Sequence, residues 1–173
     1  MREKPYPAAE SEFVITRIFD APRECVFDAY TQPDRMARWW GSAGSTLVTA
    51  AMDLRPGGSY HYGLRAPDGG TMWGKFVFRE IVRPQLLVYL NSFSDEAAGL
   101  TRHPLRPDWP LELLTTITFT EHVEGTLLTL RWSPLDRALP DERQCFDQSH
   151  ESMRLAWGGT FDKLAAYLKR QPA

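Results

Sequence analysis

Four histidines, at positions 61, 103, 122 and 150, are the first candidates for acid–base chemistry or metal ligation, because imidazole titrates near neutrality. No two of them stand in an HxH or HxxxH spacing, and Cys25 and Cys145 lie far apart with no CxxC between them. Neither a metal site nor a cofactor is expected from such a set. His61 alternates away from Tyr60 and Tyr62, and His122 sits beside a turn, so both are expected in solvent. His103 falls in a long polar loop, where it could gate an opening. His150 lies on the apolar stripe of the last helix. There it is either a core-edge imidazole with a satisfied hydrogen bond or a contact to a ligand.

Nucleophilic chemistry finds little support. Ser149, His150 and Glu151 are consecutive on a helix and therefore point to different faces, which is no triad. GxSxG, phosphate-loop and dinucleotide-loop patterns are absent from the sequence. Glu112, between Leu111 and Leu113, is expected to face solvent; turned inward, it would be the best general base, its pKa raised by desolvation. Catalytic residues thus stay unassigned. The aromatic residues carry more information. Tyr60 and Tyr62 share one face of a strand, Phe76 and Phe78 of another, and Leu128, Leu130 and Trp132 of a third, with Met153 and Trp157 on the last helix. Such a set is either plain core or the wall of a cavity, for which tyrosine and tryptophan supply polar handles.

Several elements must position these residues. Glu12 to Phe19 alternates in the manner of a strand. Asp20 can cap a helix with Pro22 in its first turn, and a second short helix leads through Met36 to Trp39-Trp40. After Gly44 the β pattern holds for about ninety residues. Turns at Arg55–Gly58, Pro67–Gly70, Arg83–Gln85 and Glu124-Gly125 divide it, making roughly seven strands in all with the first. Residues 94–110 form a long loop containing Pro104, Pro107 and Pro110. Phe146, His150, Met153, Trp157, Phe161, Leu164 and Leu168 then recur at helical spacing. They predict one amphipathic helix from about Asp141 to Lys169, roughly 40 Å long. Gly158-Gly159 inside it is tolerable where close packing or a bend requires small residues.

Composition excludes other classes. The chain has 173 residues, 43% hydrophobic and 24% charged, which is the balance of a folded domain rather than a disordered chain. Lys plus Arg number 20 against 22 acidic residues, for a net charge of −2. No cationic surplus is left for nucleic acid or an anionic membrane surface. No apolar run is long enough for a membrane span, and no leader is recognisable. Residues 1–11 read as a flexible tail and 12–170 as a single domain, expected in the cytoplasm.

The order of elements, with its local motifs, resembles the START-like (SRPBCC) superfamily. The branch is similar to the C-terminal domain of the activator of heat-shock-protein ATPase. The matching residues are Arg17 to Pro22 with Val26-Phe27, then Trp39-Trp40-Gly41, then Asp53 to Tyr60. Gly74-Lys75-Phe76, Gly125 to Leu130, and the helix carrying Trp157 and Leu164 complete the set. The resemblance implies an α+β, helix-grip fold: a curved antiparallel sheet wrapped around a long C-terminal helix, with two short helices after the first strand and often an internal cavity. On that resemblance the expected ligand contacts are Trp39, Trp40, Tyr60, Tyr62, Phe76, Phe78, Leu130, Trp132, His150, Met153 and Trp157. The leading expectation is binding of a small hydrophobic or amphipathic molecule. Alternatives are a polyketide cyclase-like or aromatase-like enzyme using the same pocket, and a co-chaperone-type protein-interaction domain, since this fold does not fix function. The expected partner is a small hydrophobic molecule, with homodimerisation left open.

Overall fold

The computed structural model describes residues 12–42 and 44–171; the tail expected over 1–11 lies outside them. Strand β1 (Phe13–Phe19) leads into helices α1 (Arg23–Thr31) and α2 (Pro33–Met36). Seven more strands follow: β2 (Thr46–Met52), β3 (Ser59–Arg65), β4 (Thr71–Val82), β5 (Leu86–Ser94), β6 (Leu100–Thr101), β7 (Leu113–His122) and β8 (Gly125–Pro134). Helices α3 (Pro140–Gln148) and α4 (His150–Lys169) close the chain. The strands form one antiparallel sheet in the order β1-β8-β7-β5-β4-β3-β2, with the short β6 paired to the end of β5. The sheet is curved and the architecture is the α+β helix-grip fold.

Period-2 alternation decides the inner face of the sheet. Phe13 and Phe19 of β1, Leu113, Ile117 and Phe119 of β7, and Leu128 and Leu130 of β8 are all essentially inaccessible. Helix α4 lies against that face. Phe161 meets Phe19 edge to face at 5.6 Å, and Arg17 bonds Asp162 at 2.6 Å. The β7–β8 turn depends on Gly125, whose φ is +128° and where a Cβ would stand 2.2 Å from the Phe19 carbonyl oxygen. Only glycine fits that position.

Local signals fail in three places. Asp20 does not cap α1: the helix starts at Arg23 after Pro22, with no side-chain bond at its cap. Asp20 is therefore too far upstream to reach the free amides of the first turn. The long C-terminal helix is two helices, because the Ser149 hydroxyl takes the Cys145 carbonyl at 2.7 Å. The Ser149 N–H bonds Phe146 instead, a local competition that bends helices. Helix α4 alone has 20 residues, about 30 Å. Finally, neither packing nor a break explains Gly158 and Gly159, which cost about 1 kcal/mol each relative to alanine inside a helix. A Cβ at either would meet no heavy atom of the described residues within 4 Å, and α4 runs through both. No helix among the described residues is long and apolar enough to cross a membrane.

Candidate functional site

Between the sheet and α4 lies a cavity of about 530 Å³, within the range that holds small organic ligands. Strands β3 to β5 form its floor through Tyr62, Phe76, Tyr89, Asn91 and Phe93, with Leu113 and Trp132 from β7 and β8. Trp157, Ala156, Gly159 and Thr160 of α4 form the opposite wall, and Trp40 and Trp109 complete the lining. Gly74 is required here. Tyr62 pairs with it across the β3–β4 ladder, and a Cβ at Gly74 would stand 2.4 Å from the tyrosine ring. The missing side chain lets that ring lie over β4.

Five expected contacts share this wall: Trp40, Tyr62, Phe76, Trp132 and Trp157. Trp157 sits between the other two indoles, 5.8 Å from Trp40 and 5.4 Å from Trp132 by ring centroid. The other six lie elsewhere. Trp39 is fully buried, donating its indole N–H to the Ala29 carbonyl at 3.0 Å while its ring packs on Tyr30. Tyr60 stacks behind Tyr62 at 5.1 Å. Phe78, Leu130 and Met153 belong to the packed core. His150 stands between the rings of Phe13 and Phe146 at 5.6 and 5.2 Å, and its buried Nε2 has no hydrogen-bond partner among the described residues. The bond expected to satisfy it is thus missing, and the side chain does not line the cavity. Alternation identifies which face a side chain takes but not how far along a curved sheet the packed core gives way to open space.

The remaining chemistry-bearing residues are held apart from the cavity. His61 is half-buried rather than solvated: it stacks on Trp73 and its Nε2 lies 2.9 Å from the Asp95 carbonyl, to which it donates. His122, also half-buried, accepts the Glu124 N–H through Nδ1. His103 packs on Phe93 at 4.4 Å and accepts the Leu105 N–H. Glu112 faces neither solvent nor cavity but pairs with Arg137 just before β7. Both cysteines are free thiols, and buried Cys145 accepts a bond from Arg106 at 2.9 Å. Among the described residues no cluster of histidine, cysteine or carboxylate is placed to hold a metal.

Sequence reasoning missed the contribution of residues 94–110. The segment contains β6, and three contacts tie it to α3. Arg102 pairs with the buried Glu142, Arg106 reaches Cys145, and Trp109 packs on Phe146 at 5.9 Å. Arg106 also lies over the Trp109 ring at 5.4 Å. These ties deliver Trp109 and Pro110 to the cavity wall. A tryptophan beside a proline at the end of a long loop was the available signal. Tyr89, Asn91 and Phe93 were also missed, though they alternate on one face of β5.

The polar groups on the wall are few and mostly neutral. Burial pushes the Tyr62 phenol up to about 12, and burial likewise raises Tyr89. Both stay protonated and can donate to a ligand oxygen. Asn91 accepts a bond from the Thr115 hydroxyl, which fixes its amide. The indole N–H groups of Trp40 and Trp132 are buried without an acceptor among the described residues. The described lining residues include no carboxylate, imidazole, ammonium, guanidinium or thiol. Such a wall can solvate an apolar body and a neutral polar group. It offers a charged group no counter-ion, and an isolated charge is costly to bury.

Comparison with known proteins gives the same architecture. Protein Ms6760 from Mycobacterium smegmatis is 23% identical, with a TM-score of 0.76 over 98% of this chain and 97% of its own. A Rhodobacter sphaeroides protein is 17% identical, with a TM-score of 0.77 over 97% and 99% of the two chains. A solution structure from Arthrobacter aurescens is 21% identical, with a TM-score of 0.75 over 96% and 91%. At these identities the likeness is one of fold. No protein of curated function matches the sequence. The family model described as "Activator of Hsp90 ATPase homolog 1-like protein" matches residues 20–169, and the chain belongs to that family.

Proposed function

We propose that this protein binds a small, neutral, predominantly apolar molecule in the cavity between sheet and α4. The observation that carries the reading is the cavity itself: about 530 Å³ walled by Trp40, Tyr62, Phe76, Trp132 and Trp157, with Tyr62 held as a neutral hydrogen-bond donor. A ligand burying around 300 Å² of apolar surface gains roughly 7 kcal/mol at 25 cal/mol/Å². Association costs remove several kcal/mol of that, which places affinity in the micromolar to millimolar range. The family description would instead make the chain a partner of an ATPase; the internal cavity favours a ligand. A cyclase-like enzyme is the second reading. It is favoured by Tyr62, Tyr89 and Asn91, which could orient a carbonyl-bearing substrate, although phenols held protonated supply no base.

The test is fluorescence titration with N-phenyl-1-naphthylamine, a neutral apolar probe. The parent chain should show saturable enhancement. Leu113→Trp, which fills the floor of the cavity, should remove it while the protein remains folded by circular dichroism, at an overpacking cost of about 1–3 kcal/mol. Undiminished binding in a folded Leu113→Trp variant refutes the internal site.

A further inference from the structure

The adjacent glycines of α4 are unexplained by the fold. Glycine is among the least favourable residues inside a helix, and is usually kept where a side chain would collide with a neighbour. Here a Cβ at either Gly158 or Gly159 would meet nothing within 4 Å among the described residues, and the helix runs through both from His150 to Lys169. The two positions nevertheless differ. Gly159 lines the cavity together with Leu155, Ala156 and Thr160, whereas Gly158 does not. At 100° per residue, positions 155, 156, 159 and 160 turn toward one side of the helix and 158 toward the other.

Across the gap from that side stand Leu64 and Met72 of the β3–β4 hairpin, which also line the cavity. The rim is apolar and open: Leu155 is 74% exposed and Met72 41%. A helical side chain leans back over the preceding turn, so one at position 159 would lie over Leu155 and Ala156, across the opening. A side chain at position 159 would thus narrow the passage.

We propose that Gly159 sets the size of molecule that can pass between α4 and the β3–β4 hairpin into the cavity, making it a specificity-determining position. The inference rests on the ligand-binding reading above. Gly158 serves as an internal control, since its replacement strengthens the helix equally without approaching the opening.

The experiment is stopped-flow fluorescence on the full chain with two neutral probes, N-phenyl-1-naphthylamine and the bulkier Nile red. The variants are Gly159→Leu, Gly159→Met and Gly158→Leu. All three should match or exceed the thermal midpoint of the parent. The Gly159 variants should lower the association rate by about tenfold, within the one to three decades that variants of one site span, and Nile red should suffer more than the smaller probe. Gly158→Leu should stay within about twofold of the parent by the same measure. A folded Gly159 variant that takes up both probes at the parental rate overturns the inference alone. A parent chain that binds neither probe overturns the ligand-binding reading, and this inference with it.

Discussion

Arg102, from the segment after β6, forms an ion pair with Glu142 of α3, a carboxylate whose side chain is only 7% exposed. Glu142 also accepts the Leu139 N–H at 3.0 Å, so one buried group holds both the start of α3 and the strap that carries Trp109 to the cavity. Arg102→Ala should leave that carboxylate without its main partner, at a cost of about 1–3 kcal/mol in urea unfolding. Probe binding should weaken as well, because Trp109 loses its anchor. Unchanged stability and unchanged binding would show that the strap is held by other contacts.

Stability should fall on mild acidification. Burial lowers the His150 pKa below the usual histidine range, with Asp147 opposing and Arg154 reinforcing the shift. His103 is lowered too, by burial and then by Arg106, against Asp108. For both groups the unfolded chain takes up protons more readily than the folded one. Their contribution is therefore complete above an unfolded pKa of about 6.5 and is lost as the pH drops below it toward the lowered folded values. Thermal midpoints measured from pH 8 to 5 should be flat and then decline. The double variant His103→Gln/His150→Gln should decline less. A midpoint that rises on acidification would contradict the assignment.

Gly125→Ala tests the most constrained turn. The added methyl would meet the Phe19 carbonyl oxygen at 2.2 Å, on a backbone with φ of +128°. A loss of at least about 2 kcal/mol is expected, read as a lower urea midpoint with unchanged slope. A neutral substitution would mean that the β7–β8 turn adapts freely.

The fold was largely legible in the sequence because its signals are periodic. Alternation marked the long strands, glycine-bearing turns separated them, and the spacing from Phe146 to Leu168 marked the helical face. What local reasoning lost were competitions between neighbours. Ser149 looks like an ordinary helix residue until its hydroxyl takes the Cys145 carbonyl. Asp20 looks like a cap until Pro22 fixes where α1 begins. The site was half legible for a related reason. Tyr60 and Tyr62 are equivalent by alternation, yet Tyr60 lies behind in the core while Tyr62 reaches open space over Gly74. That difference comes from cross-strand register, which joins residues far apart in sequence. Trp109 was invisible until Arg102 and Arg106 placed its loop against α3.

The most direct test of the cavity uses the tryptophans themselves. Four of the six present their rings to it (Trp40, Trp109, Trp132 and Trp157); Trp39, bonded to Ala29, and Trp73, stacked on His61 on the other face of the sheet, do not. A two-dimensional nitrogen–proton spectrum resolves one indole N–H signal per tryptophan. Titration with N-phenyl-1-naphthylamine should move the four cavity signals along saturable curves sharing one dissociation constant, and move Trp39 and Trp73 least. Shifts confined to surface amides, with all six indole signals stationary at saturation, would contradict a ligand held between the sheet and α4.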